Sequence, residues 1–167
     1  MKFRTYSYRF AEQVLNSKLS LKHEIEDTLR DLSPNPCELS RPKFNEILEE
    51  NFVQMGWKTQ PSVFSSEEDA YAKMDFLKER AGIEVEFGHS SFIGIDLLKF
   101  QVSSYSVLDK IDIGIYITTT KDFQKKMKSD YNQNWEGSLT FEKVLRYLPH
   151  FKSAIQVPVY VIGIDEV

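Results

Sequence analysis

Three acids stand out as the residues best placed to do chemistry. Asp75 is followed nine residues later by Glu84, with Glu86 two positions beyond. Ile83, Val85 and Phe87 alternate with the two glutamates, which is the period of a strand with one apolar face. Residues i and i+2 share a strand face, so Glu84 and Glu86 stand side by side, roughly 6–7 Å apart along the backbone. Asp75 belongs to a second apolar-flanked stretch, residues 71–77, and the turn-like residues 78–82 between the two predict a hairpin that sets Asp75 beside Glu84. Three carboxylates in one place repel one another, so either one keeps a proton or a divalent cation joins them. An all-oxygen ligand set suits Mg, Ca or Mn, and a Mg site on one or two carboxylates commonly draws further ligands from a substrate phosphate. The ordinary alternative is a solvated acidic face on a half-buried strand.

The rest of the chain must position this stretch. Residues 10–32 read as helix, with Ala11, Val14 and Leu15 on one stripe and Ile25, Leu29 and Leu32 continuing it past a polar break at Asn16, Ser17 and Lys18. Residues 33–36 form a loop by composition. Ser40 followed by Pro42 marks a helix start. Phe44, Ile47, Leu48, Phe52 and Met55 run along that helix, and Gly56 ends it. Residues 57–61 link to the sheet, and residues 65–69 make a turn or a short helical start. Beyond the hairpin, Phe92, Ile95, Leu98 and Val102 predict a helix within residues 92–107. Residues 111–118 read as a strand, 120–131 and 140–151 as helices, and 157–164 as a buried strand. This order predicts an α/β fold, a mixed central β-sheet flanked by helices, in one domain over residues 1–167.

Composition narrows the functional classes. The chain has 167 residues, 41% hydrophobic and 13% aromatic, sufficient for an ordinary globular core. A formal net charge of −4 does not advertise a nucleic-acid binder, although a local basic rim can face phosphates on an otherwise acidic protein. Cys37 is the sole cysteine, so no intrachain disulfide can form, and a reducing cytoplasmic setting is expected. The N-terminus lacks the apolar core of a signal peptide, and no apolar run nears the roughly 20 residues that cross a bilayer. No Gly-rich phosphate loop, Cys/His zinc spacing or Ser-His-Asp set is present.

The segment Met74-Asp75-Phe76, then Ile83-Glu84-Val85-Glu86-Phe87-Gly88-His89-Ser90-Ser91-Phe92, resembles the active-site pattern of PD-(D/E)xK nucleases, the fold of type II restriction endonucleases. In detail it is similar to the BglII/BstYI-like branch, with BamHI a more distant relative. That branch has Asp-Phe, the same gap of nine, then Val-Glu-Val-Gln-Phe followed by polar residues and Phe. Trp57-Lys58-Thr59-Gln60-Pro61 resembles a Trp-Lys-Asn-Asn segment at the same distance upstream. The helical stretch from Ala11 resembles the family's first helix, and Val157-Pro158-Val159-Tyr160-Val161-Ile162-Gly163-Ile164 resembles its last core strand.

The resemblance implies a Mg-dependent, sequence-specific double-stranded DNA endonuclease, with Mn as a possible substitute metal. It implies a homodimer on a palindromic site, with GATC-containing DNA as the first target to try. Asp75 and Glu84 would be metal ligands. Glu86 falls where most of the superfamily has lysine, where BglII-like enzymes have glutamine and BamHI has glutamate; it would serve as proton acceptor or second metal ligand. Gln60 falls near the family's active-site asparagine. His89, Ser90 and Ser91 match a base-contacting region, although their identities differ from the family's. Lys58 is a candidate phosphate contact, as are Lys121, Lys125, Lys126 and Lys128, against the usual reading of such lysines as a solvated face. Ser90 and Ser91 could equally cap the next helix, and Trp57 reads as a core anchor. BglII carries further structure after the last strand, and its function is expected to be missing here. The rival readings are a nuclease of repair or defence without strict sequence specificity, and an inactive nuclease fold that binds DNA or protein.

Overall fold

The structure, a computed structural model, describes residues 1–64, 72–105 and 109–166. Residues 65–69, expected as a turn or helical start, lie outside the described residues, as do Tyr71 and Val107. The chain runs β1 (Lys2–Tyr8), α1 (Ala11–Asn16), α2 (Leu19–Asp31), α3 (Arg41–Gln54), β2 (Lys58–Thr59), β3 (Phe76–Lys78) and β4 (Ala81–Val85). It continues through α4 (Ile93–Tyr105), β5 (Ile113–Thr119), α5 (Lys121–Tyr131), α6 (Phe141–Tyr147) and β6 (Val159–Glu166). Among the described residues these strands form one mixed sheet in the order β1-β6-β5-β4-β3-β2. The centre, β4-β5-β6, is parallel; β1 joins β6 and β3 joins β4 antiparallel.

The helix boundaries follow local chemistry. The predicted N-terminal helix breaks in two at Ser17 and Lys18, as its polar residues suggested. Ser40 caps α3 by accepting a hydrogen bond from the Lys43 N–H, and Pro42 sits in the first turn, where a missing N–H does no harm. Gly56 follows the helix at φ 82°, a left-handed turn that glycine adopts without steric strain.

The strands alternate as expected, and the two faces of the sheet are both covered. Ile83 and Phe87, Ile113, Ile115 and Ile117, and Tyr160, Ile162 and Ile164 pack beneath α1, α2, α3 and α5. There Phe87 stacks on Phe44 with ring centroids 4.7 Å apart, and Trp135 closes on both. Tyr116, Val159 and Val161 face the other way, into a second core with Leu97 and Phe100 of α4 and Phe141 and Val144 of α6. Gly114 of β5 lies against the Phe100 ring; any Cβ there would meet ring carbons at 2.5–2.9 Å, so the missing side chain lets α4 settle close to the sheet.

Several expectations need correction. The hairpin turn is tighter than residues 78–82. It consists of Glu79 and Arg80, both left-handed (φ 47° and 64°), with Lys78 paired to Ala81. Gly82 is a strand residue, and a Cβ there would collide with the Met74 thioether. β1 and β2 carried no sequence signal strong enough to predict them. Of the stripe Phe92, Ile95, Leu98, the last two lie on α4 and Phe92 on the short turn before it, all three facing outward at 52%, 57% and 47% exposure. The inner face of α4 is Ile93, Asp96, Leu97 and Phe100.

Candidate active site

The site is assembled at the C-terminal end of β4, where the parallel centre of the sheet meets the antiparallel hairpin. This is the end of a parallel strand at which α/β sheets usually bind ligands. The ladder places Phe76 opposite Ile83, which brings Asp75, one residue earlier, level with Glu84. Asp75 is held from three directions. The Val85 N–H donates to its Oδ2 at 2.7 Å, Gln60 Nε2 donates to its Oδ1 at 3.2 Å, and the Gln60 N–H donates to its carbonyl at 3.0 Å. Gln60, at φ 48° and matched in the sequence with the family's active-site asparagine, thus stands against Asp75. Asp75 and Gln60 also form part of the wall of a cleft of about 230 Å³, with Asn45 and Glu49 of α3, Phe76 and Val85.

Glu84, level with Asp75 across the ladder, points towards α4. It is 3% exposed. Its Oε2 accepts from Lys99 Nζ at 2.7 Å, and its Oε1 is buried with no hydrogen-bond partner among the described residues. Glu86 shares that strand face, its N–H still bonded to the Ile117 carbonyl of β5, but its Oε1 is folded back onto the Gly88 N–H. As they stand, no three His, Cys, Asp or Glu side chains among the described residues converge on one metal position. The expected gathering of all three acids is therefore only partial: the ladder sets Asp75 level with Glu84, while the Glu86 carboxylate is tied to its own loop.

The electrostatics reflect this crowding. Burial, then the Asp75 carboxylate, pushes Glu84 up to about 9 against the pull of Lys99. Burial raises Glu86 to about 7, partly offset by the Gly88 N–H. Asp75 is also raised, chiefly by burial and against the Val85 N–H. Lys99 is raised too: burial alone would lower it, and Glu84 and Asp96 outweigh burial.

Lys99, Asp96 and Tyr116 were not found from the sequence. Asp96 Oδ1 lies 3.1 Å from Lys99 Nζ, and the Tyr116 hydroxyl donates to Asp96 Oδ2 at 2.9 Å. The only signal was a charged pair at i, i+3 on a helix whose other residues are mostly apolar. The loop after Glu86 also differs from expectation. His89 caps the short turn of Ser90–Phe92, its Nδ1 accepting from the Ser91 N–H, so neither serine is the cap. Ser90 Oγ accepts from Lys143 Nζ at 2.8 Å. His89 and Ser91 are exposed, as is Lys58 on β2. Of the α5 lysines, Lys125 pairs with Asp122, Lys126 with Glu166 and Lys128 with Glu136, the behaviour of a solvated charged face. Trp57 is a core anchor, as expected: it packs edge-on against Phe52 and its indole N–H donates to Glu24 at 2.7 Å.

A mixed sheet carrying an aspartate and a glutamate at the exit of its central hairpin suits metal-assisted hydrolysis, and comparison with known proteins gives the class. The profile of the restriction endonuclease BglII/BglIII family matches residues 3–164, and the chain belongs to that family. No curated protein matches the sequence. The fold is similar to restriction endonuclease BglII complexed with a DNA 16-mer (TM-score 0.75, 21% identity), over 100% of this chain and 78% of that one. It is also similar to free BglII (TM-score 0.70, 20% identity), over 100% of this chain and 81% of the other.

The donor set fits a hard divalent cation. Asp75 at the cleft and the unpaired buried Glu84 Oε1 are both oxygen donors, and an unsatisfied carboxylate oxygen in a buried site calls for a cation or a proton.

Proposed function

We propose that this protein is a Mg-dependent, sequence-specific endonuclease that hydrolyses phosphodiester bonds in double-stranded DNA. The observation that carries the proposal is the unpartnered, buried Glu84 Oε1 beside Asp75, in a chain of the BglII/BglIII restriction endonuclease family. Asp75 and Glu84 would hold Mg, with Mn as substitute, and the bound cation supplies Lewis acidity toward the scissile phosphate and its attacking water.

The chain's own residues account for the remaining work. The Val85 N–H and Gln60 fix the Asp75 carboxylate, so its position costs no reordering when substrate arrives. Glu86, pushed to about 7, can take a proton from water near neutral pH and release it again. That role requires it to leave the Gly88 N–H that now holds it. His89 and Ser91 are bonded to each other through Nδ1 and Oγ but exposed, so the His89 Nε2 edge can face bases or phosphates, and Lys58 a phosphate. Ser90 contributes together with Lys143.

The partner is a second copy of the chain on a palindromic site, since two-fold protein symmetry matches two-fold DNA symmetry. The outer strip of α4 supports this: Ile95, Leu98 and Tyr105 are 57%, 47% and 60% exposed, a run of large apolar side chains that single soluble chains tend to avoid. The proposal is tested by digesting a panel of plasmids, GATC-containing ones first, with Mg. Discrete fragments are the expected product; a smear would point to a nuclease without sequence preference.

A further inference from the structure

The acidic cluster is built around a cation that the motif strand does not supply. Lys99 comes from α4, and its ammonium makes three contacts within the protein: Glu84 Oε2 at 2.7 Å, Asp96 Oδ1 at 3.1 Å and the Lys73 carbonyl at 3.1 Å. An ammonium has three N–H donors, so none is left for water or a phosphate. A lysine acting on substrate would need a donor free. Lys99 therefore acts through another residue.

The surroundings hold it in place. Asp96 is fixed in turn by the Tyr116 hydroxyl from β5, and α4 is seated by Phe100 over Gly114. The Lys99 stem forms part of the wall of an apolar cleft of about 410 Å³ with Val63, Phe64, Ile95, Leu98 and Val102, which presents little polar surface to compete for the ammonium.

We propose that Lys99 is a positioning residue for Glu84: it occupies Oε2 and leaves Oε1 as the single oxygen through which Glu84 receives a divalent cation. This rests on Asp75 and Glu84 forming the cation site. Two effects oppose each other and give the test its sign. Removing a nearby positive charge, by Coulomb attraction alone, would tighten cation binding. Removing the group that fixes Glu84 would loosen it, because an unheld carboxylate must be ordered when the cation arrives.

The experiment is a calorimetric titration of the full chain with Mn at pH 7.5, for the unaltered protein, Lys99→Met, Lys99→Arg and Asp96→Asn. Thermal melts without metal establish that each variant is folded. Positioning predicts about tenfold weaker Mn binding for Lys99→Met, recovery of part of the loss in Lys99→Arg, and a smaller loss in Asp96→Asn. Mn binding by Lys99→Met as tight as, or tighter than, that of the unaltered protein overturns the proposal. If Lys99→Met melts below the titration temperature, Asp96→Asn decides, and undiminished binding there overturns the proposal. Absence of Mn binding in the unaltered protein overturns both this proposal and the cation site, so the two failures are told apart.

Discussion

Glu84 sets the energetics at the scale of single residues. A carboxyl held above its unfolded value near 4.5 keeps a proton in the fold where the open chain has lost it. Its stabilising contribution is present in full below that unfolded value and is lost as pH rises through the folded one. For Glu86 that value is about 7 and for Glu84 about 9. Thermal unfolding in a chelator should therefore show the melting temperature falling between pH 5 and pH 9. Glu84→Gln, which cannot ionise, should flatten much of that slope; an unchanged slope would mean that Glu84 is ionised throughout. Cation binding at the proposed Asp75–Glu84 site would displace such a proton. Mn titrations at pH 7.5 in buffers of different ionisation enthalpy should therefore release protons, and identical heats in every buffer would contradict a protonated Glu84. Asp75→Asn keeps an acceptor oxygen for the Val85 N–H, replaces the oxygen that Gln60 meets with an amide NH2 that the Gln60 Oε1 can accept from, and removes the charge. It should leave the fold intact and lower cleavage by ~100-fold or more, the usual loss on deleting one preorganised electrostatic group.

At the scale of elements, α4 joins the two halves of the account. Its inner face carries Asp96 and Lys99, and its outer strip carries Ile95, Leu98 and Tyr105. If the proposed homodimer uses this strip, Ile95→Asp or Leu98→Asp should shift the sedimentation mass from dimer to monomer with little change in melting temperature, since these side chains contribute little to the core of one chain. A variant that stays dimeric would place the interface elsewhere. This helix also shows what the sequence could and could not reveal. A helix within residues 92–107 was legible from its period. Its orientation was not, because apolar residues line both sides and only tertiary packing chooses between them. By contrast, α3 was readable to its ends, through Ser40, Pro42 and Gly56, because caps are local chemistry. The Asp75–Glu84 juxtaposition was legible because strand period and hairpin pairing fix it. Lys99 was hidden because its partner lies 15 residues away on another element. β1 escaped notice because it is an edge strand joined to β6 by backbone pairing, and β2 because two residues carry no period. Glu86 was placed on the correct face, but its turn onto Gly88 depends on the loop that follows.

At the scale of the whole molecule, two apolar layers clamp the sheet so that the exit of β4 has little freedom. Phe87, next to Glu86, is locked between Phe44 and Trp135. Phe87→Ala should destabilise the protein by ~3–5 kcal/mol, measured by urea unfolding, as large aromatic deletions in a full core do. A chain with formal charge −4 must meet DNA through a local surface, not through its overall field. The family places the chain among restriction endonucleases, and under the proposed function the buried carboxylates would supply the chemistry. The most direct test of that link is Mg-dependent digestion of a plasmid panel by the unaltered protein beside Asp75→Ala and Glu84→Ala. Discrete fragments from the unaltered protein and none from either variant are predicted. Undiminished cutting by either variant, or no cutting of any plasmid by the unaltered protein, would contradict the account.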